Sequence, residues 1–268
     1  AGRALLARIE AELPESARPF AIEGVRRLMD YQDRAYADLY LSRLAPIAAL
    51  DDGEGRMTSE AARHLALWMA YEDTIRVADL KVRATRSARV AAEVRLAPGQ
   101  VMSVTEYMHP RLREVCETMP AGIGAFILRS PRLSRWLEPL FRRGRHVETT
   151  GLRWFLTLRL LASLRAIRRS TLRYREEQAR IEDWLTFVQD TARSDQEAAT
   201  ELLRCQQLIK GYSDTFGRGL ANFETVTREA RSFAGQPDAA DRIRLLREAA
   251  FADDDGKALG CALASDAA

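Results

Sequence analysis

The stretch Thr58-Ser59-Glu60-Ala61-Ala62-Arg63-His64-Leu65-Ala66-Leu67-Trp68-Met69-Ala70-Tyr71-Glu72-Asp73-Thr74-Ile75-Arg76-Val77-Ala78-Asp79-Leu80-Lys81-Val82-Arg83 decides the fold class. It opens on Thr-Ser-Glu, a helix-start signal, and runs on through apolar residues without a glycine or proline as far as Val94. At 1.5 Å per residue, a segment of about 35 residues predicts a strut of roughly 50 Å. Upstream, Val25, Leu28, Met29, Ala35, Tyr36, Leu39, Tyr40 and Leu44 recur at three and four residues, which predicts a second long helix over about Ala17 to Leu50, with Pro46 ending or kinking it. A short amphipathic helix over Arg3 to Leu13 precedes it and stops at Pro14, and Asp51-Asp52-Gly53-Glu54-Gly55 reads as a solvated turn.

Downstream, Val94 to Met108 changes character. Pro98-Gly99 with Val101, Val104 and Tyr107 predicts a small two-stranded β-hairpin near 94–108. Prolines 110, 120, 131 and 139, with Gly122 and Gly124, then divide the chain into short helices. From Gly151 to Arg193 the helical pattern reads as uninterrupted, with Leu156, Leu160, Leu164 and Ile167 on one stripe of a buried helix. Ser194-Asp195 caps a helix to Ile209, and Lys210-Gly211-Tyr212-Ser213-Asp214-Thr215 is a break with Gly211 as a left-handed residue and Asp214 or Thr215 as the next cap. Helices near Thr215–Phe233 and Asp238–Ala252 and a last short helix complete the pattern. The expectation is an all-α protein, a long-helix bundle with short connecting helices, forming one helical domain over 1–268 that is single or two-lobed.

With 268 residues, 47% apolar and 29% charged, the composition is globular and excludes global disorder. Cys116, Cys205 and Cys261 are odd in number and form no C-x-x-C, so neither a disulfide framework nor a four-thiolate metal site arises from this chain, and a reducing, cytoplasmic setting is expected. His64, His109 and His146 are isolated, and neither a P-loop nor a G-x-G-x-x-G is present. No metal site, no cofactor of its own and no catalytic residue is therefore expected. The most apolar run, Gly151 to Ile167, holds Arg153, Arg159 and Arg165 and does not read as membrane-spanning. The chain opens Ala1-Gly2-Arg3, as an excised piece of a longer protein would.

The net charge of +3 hides an asymmetry: Arg129 to Arg180 contains fourteen arginines and four carboxylates. Such a band suits an acidic protein surface, phosphates or the chain's own acidic helices. No nucleic-acid recognition motif frames Arg142-Arg143-Gly144-Arg145 or Arg165 with Arg168-Arg169, and internal or intersubunit ion pairing is the expected use. Glu72, Arg76, Asp79 and Arg83, at steps of four, three and four, stack along one helix face, with Asp73 and Lys81 on neighbouring faces. This is a solvated ion-pair stripe if exposed, and a specificity device or site if buried. Tyr31, Asp33, Tyr36 and Tyr40 present polar groups at helical-turn spacing, as a polar-lined groove or as core tyrosines with satisfied hydroxyls.

Three strings, Asp30 to Tyr40, Leu67 to Lys81 and Lys210 to Thr215, together with the ending Asp254-Asp255-Gly256-Lys257-Ala258-Leu259, resemble the C-terminal helical region of indolepyruvate ferredoxin oxidoreductase family proteins. In that family the region follows the gamma-type domain of 2-oxoacid:ferredoxin oxidoreductases. The resemblance covers nearly the whole chain and implies an accessory, non-catalytic domain. Its parent would oxidatively decarboxylate arylpyruvates with thiamine diphosphate, coenzyme A and iron–sulfur clusters held elsewhere. Its implied partners are the gamma-type domain and the thiamine-binding subunit or domain, with ferredoxin served indirectly. The face comprising Tyr31, Asp33, Tyr36, Glu72, Asp73, Arg76, Asp79, Lys81 and Arg83 would be the interdomain polar face, and its Glu72, Asp73, Arg76, Asp79 and Lys81 would alternatively complete a neighbour's active site. The alternative is a free-standing helical module whose 129–180 band grips an acidic protein or RNA.

Overall fold

The computed structural model describes residues 2–97, 99–141, 144–211, 213–253 and 256–266, with Ser265 and Asp266 described by their backbone only. The chain divides into two compact units, Ala1–Ala70 with Ile181–Ala268, and Tyr71–Arg180. The described residues form helices and one two-stranded ribbon, so the protein is all-α with a small β element, as the sequence predicts.

In chain order the first unit opens with α1 (Gly2–Glu12), α2 (Arg18–Tyr31), α3 (Arg34–Ala48) and α4 (Arg56–Met69). The predicted 17–50 helix is thus two helices. The break falls at Gln32 because the Asp33 carboxylate accepts the Tyr36 N–H at 2.8 Å, satisfying a helix-start donor that a continuous helix would not expose. Pro46 sits inside the last turn of α3, which runs on to Ala48. Gly24 of α2 lets three helices close up, since a Cβ there would lie 2.6 Å from the Tyr40 hydroxyl and 3.0 Å from the Ala66 methyl. The Asp51 carboxylate anchors the turn before α4, accepting from the N–H groups of Gly53, Gly55 and Thr58 and from the Thr58 hydroxyl. Burial pushes that carboxyl up, but the Thr58 and glycine donors outweigh it and hold it below the usual range.

The predicted 58–94 strut is likewise broken. After α4 the chain turns at Ala70, begins α5 (Thr74–Val82), goes extended at Arg83, and resumes as α6 (Ala84–Glu93). No glycine or proline is involved: Asp73 caps α5 by accepting the Arg76 N–H at 2.6 Å. The second unit continues with β1 (Thr105–Met108), α7 (Leu112–Thr118), α8 (Ala121–Arg129), α9 (Pro131–Leu137), β2 (Arg145–Glu148) and α10 (Leu152–Ser163), and takes in the start of α11 (Leu172–Ala192). β1 lies within the stretch where a strand is predicted, and its antiparallel partner β2 comes from much further along, in the register Thr105↔Glu148 to Met108↔Arg145. Of the Pro98-Gly99 turn, Pro98 lies outside the described residues.

The 151–193 pattern also breaks, through a 3-10 segment at Leu164–Ser170 and an extended Thr171. The Thr171 hydroxyl donates to the Arg168 carbonyl at 2.7 Å, and its oxygen accepts the Tyr174 N–H at 3.3 Å, starting α11. The chain returns to the first unit within α11 and ends with α12 (Gln196–Arg204), α13 (Ser213–Ser232), α14 (Ala239–Ala252) and α15 (Lys257–Asp266). Asp195 caps α12 as predicted, accepting the Ala198 N–H at 2.9 Å.

The first unit's core centres on aromatic stacking: Trp68 meets Trp184 and Phe223 with ring centroids 5.1 Å apart in each case, and the Trp184 indole donates to the Leu202 carbonyl at 3.1 Å. Beside it lies a charged cluster. Glu201, fully buried, pairs with Arg204 at 2.7 Å, Arg247 at 2.9 Å and Arg244 at 3.3 Å. Arg204 also reaches Glu60 at 2.9 Å, and Glu60 faces the His64 ring at 3.2 Å. The His64 bond, with Arg204 beside it, outweighs burial and pulls the Glu60 carboxyl down to about 2.

Glu201→Gln leaves three guanidiniums around a neutral amide and is expected to cost about 3–5 kcal/mol in urea unfolding; wild-type stability would contradict the role given to Glu201. Because the Glu60 carboxyl is lower folded than unfolded, its contribution is complete above about pH 4.5 and is lost as the pH falls toward 2, on the order of 1 kcal/mol once solvent screening of this half-buried group is counted. Glu60→Gln should flatten that limb of the stability profile; an unchanged slope would show that Glu60 does not set it.

Candidate functional site

The second unit brings together the chemistry the sequence singles out. Asp73 both caps α5 and binds Arg168, whose Nε and Nη2 lie 2.8 and 3.3 Å from its two oxygens, with the guanidinium only 1% exposed. Further along α5, Asp79 accepts from Arg76 at 3.1 Å and Arg83 at 2.5 Å. The predicted stripe therefore exists from Arg76 to Arg83, whereas Glu72 is exposed in the turn before the helix and Asp73 is buried. Lys81 leaves that stripe to pair with Glu106 of β1, and Glu106 also binds Arg86 of α6.

Around this triad lies a groove of about 240 Å³, lined by Lys81, Arg86, Ser87, Thr149 and Thr150 and by the apolar Val90, Met102, Val104 and Phe155. The ribbon positions its polar wall: the Thr149 hydroxyl donates to the Val104 carbonyl at 3.1 Å, and the Thr150 hydroxyl oxygen accepts the Val104 N–H at 3.1 Å. Burial, then the neighbouring Arg86 guanidinium, push the Lys81 ammonium below the ordinary lysine range. Arg86, Glu106, Thr149, Thr150 and Phe155 carry no spacing signal linking them to Lys81, because α5, α6, the ribbon and α10 meet only in the fold.

The other predicted residues have different settings. Tyr36 and Tyr40 are buried in the first unit, donating to the Met69 carbonyl at 3.0 Å and the Ala62 carbonyl at 2.8 Å, and Tyr31 packs against Tyr36 with centroids 6.0 Å apart. They are core tyrosines, and Asp33 is a helix cap rather than a groove wall. In the 210–215 turn Gly211 is left-handed as expected, with φ of +74°, and a Cβ there would lie 2.7 Å from Thr215 Cγ2. α13 begins at Ser213, so Asp214 and Thr215 fall in its first turn instead of capping it. Lys210 lies over the Phe251 ring, 5.2 Å from its centroid. Tyr212, Asp254, Asp255 and the arginine pair Arg142-Arg143 lie outside the described residues.

The arginine band splits in two. Arg168 pairs with Asp73, Arg173 with Glu117 and Glu177, and Arg180 with Glu176 and Glu177, which is the internal use the sequence predicts. Arg129, Arg132, Arg135, Arg153 and Arg159 are exposed and meet no carboxylate among the described residues. The apolar side chains between them are exposed as well: Phe126 (67%), Trp136 (73%), Leu152 (74%), Leu156 (55%) and Leu160 (67%). The Leu156–Leu160 stripe predicted to be core is thus a solvent-facing stripe of α10. That helix buries Leu158 and packs on α5 with its opposite side.

These features define a helical protein with a small polar-rimmed groove and, among the described residues, an exposed apolar and basic surface. Its sequence matches, over residues 17–229, a family of unknown function, DUF6537, and the chain belongs to that family. No curated protein and no solved structure is significantly similar to it. No helix among the described residues is long and apolar enough to cross a membrane, and none of their His, Cys, Asp and Glu side chains group to hold a metal ion.

Asp73→Ala removes both a helix cap and the counter-ion of a buried guanidinium, and is expected to cost about 3–5 kcal/mol in urea unfolding. Asp73→Asn keeps a capping oxygen and should fall between Asp73→Ala and wild type. Equal stability for all three would contradict the dual role.

Proposed function

We propose that this chain is an accessory helical domain of an indolepyruvate (arylpyruvate) ferredoxin oxidoreductase, supporting assembly of a cytoplasmic thiamine-diphosphate and iron–sulfur enzyme. The observation that carries the reading is the surface of α8, α9 and α10, where Phe126, Trp136, Leu152, Leu156 and Leu160 face solvent beside arginines that meet no carboxylate among the described residues. Single exposed apolar side chains are ordinary, but large aromatic and leucine side chains exposed in number on neighbouring elements mark an interaction surface. The arginines select for an acidic partner, because like-charged surfaces are rejected and acidic ones steered in. The sequence resemblance supplies its identity: the gamma-type domain or the thiamine-binding portion of the parent enzyme. In this reading the domain contributes binding surface, while thiamine diphosphate, coenzyme A and the iron–sulfur clusters belong to its partners.

Co-expression of the tagged chain with the gamma-type and thiamine-binding portions of the parent should yield a stoichiometric complex at moderate salt, and Leu156→Asp with Leu160→Asp should remove it without unfolding the chain. The isolated chain should show no turnover with indolepyruvate, coenzyme A and an electron acceptor. A complex insensitive to the double substitution, or a chain that recovers only RNA with a steep salt dependence, would overturn the reading.

A further inference from the structure

The groove of the second unit has a chemistry that domain docking does not use. Lys81 and Arg86 bring two positive charges to one carboxylate, Glu106, so the triad is left with one uncompensated positive charge in a partly buried setting. Each cation has donors beyond those spent on Glu106, since an ammonium has three and a guanidinium five. Ser87, Thr149 and Thr150 add hydroxyls around the same space, and Val90, Met102, Val104 and Phe155 form its apolar wall. A volume of about 240 Å³ takes about eight water-sized groups at roughly 30 Å³ each.

From this juxtaposition we propose that the groove bounded by α5, α6, the ribbon and α10 binds a small amphipathic anion, its carboxylate or phosphate head between Lys81 and Arg86 and its short apolar body against Phe155, Val90 and Met102. The head completes a two-cation, two-anion arrangement with Glu106, in which every charge has an opposite neighbour. Charge-assisted hydrogen bonds hold the head, and the Thr150 hydroxyl, which accepts the Val104 N–H and keeps its own proton free, orients it from the ribbon side. Burial, then the Arg86 guanidinium, lower the proton affinity of Lys81, and an anionic head beside it offsets both. The site lies on residues other than the α8–α10 docking surface, so either can hold without the other.

The test is isothermal titration of the full chain with hexanoate, butyl phosphate, inorganic phosphate and 1-hexanol. Hexanoate or butyl phosphate should saturate at one per chain with a dissociation constant on the order of 1 mM or tighter. Hexanoate alone would identify a carboxylate ligand, and butyl phosphate alone a phosphate monoester. Lys81→Met should weaken the bound probe by roughly tenfold, Lys81→Arg should retain most of the binding, and Phe155→Ala should weaken it by roughly fivefold. Should Lys81→Met prove unfolded by circular dichroism, Thr150→Val, at an exposed position of the rim, carries the same test with an expected loss of about threefold. The proposal is overturned if neither probe saturates, if the folded variants bind like wild type, or if inorganic phosphate or 1-hexanol binds as well as the amphipathic anions.

Discussion

The buried ion pair between Asp73 and Arg168 organises the second unit. One carboxylate starts α5 through its cap on the Arg76 N–H and neutralises a guanidinium that is almost wholly removed from water. A buried charge without a partner costs several kcal/mol, so Arg168 and the 3-10 segment that carries it have one place to go. That segment follows α10 directly, and fixing it against the start of α5 lays α10 along α5. Phe155, Lys81 and the ribbon then meet around one groove, and the leucines of α10 that do not face α5 are left in solvent. Both the candidate ligand site and the candidate docking surface follow from this placement.

The division of labour among the arginines follows from where carboxylates are available. Arg168, Arg173 and Arg180 have Asp73, Glu117, Glu176 and Glu177 within reach and are absorbed into the unit's own packing. Between Arg129 and Arg159 the only carboxylates are Glu138 and Glu148, and Glu148 is engaged by the Ser103 hydroxyl at 2.8 Å. Cations that meet no carboxylate among the described residues, set among exposed leucines and aromatics, suit an acidic protein better than a phosphate backbone. Phosphate contacts require charge alone, whereas this surface also exposes apolar area that a nucleic-acid backbone would leave wet.

Helical periodicity made the fold class legible, because it survives every break in the chain. The breaks themselves were hidden. Asp33, Asp73 and Thr171 end one helix and begin the next by side-chain capping, and an aspartate or threonine inside a helical pattern reads equally well as a solvent-facing residue. The ribbon was legible only on its first side, since Thr105–Met108 pairs with a strand some forty residues away, beyond any turn signal. At the site, the Arg76–Asp79–Arg83 stripe follows from helix spacing, as does the placement of Lys81 off that stripe. Glu106, Arg86 and Thr149 were not legible, because their proximity to Lys81 is created by non-local packing. The α10 leucines misled for a related reason: amphipathic periodicity marks a face that must be covered and does not say whether the cover lies in the same chain.

The central claim is that this cover is supplied by a partner, and hydroxyl-radical footprinting of the chain, alone and in complex with the gamma-type and thiamine-binding portions of the proposed parent enzyme, tests it most directly. Oxidation of Phe126, Trp136, Leu156 and Leu160 should fall sharply in the complex while exposed Phe20 and Leu6 of the first unit stay as reactive as in the free chain. Unchanged labelling of the α8–α10 residues in a complex that has formed would contradict the account.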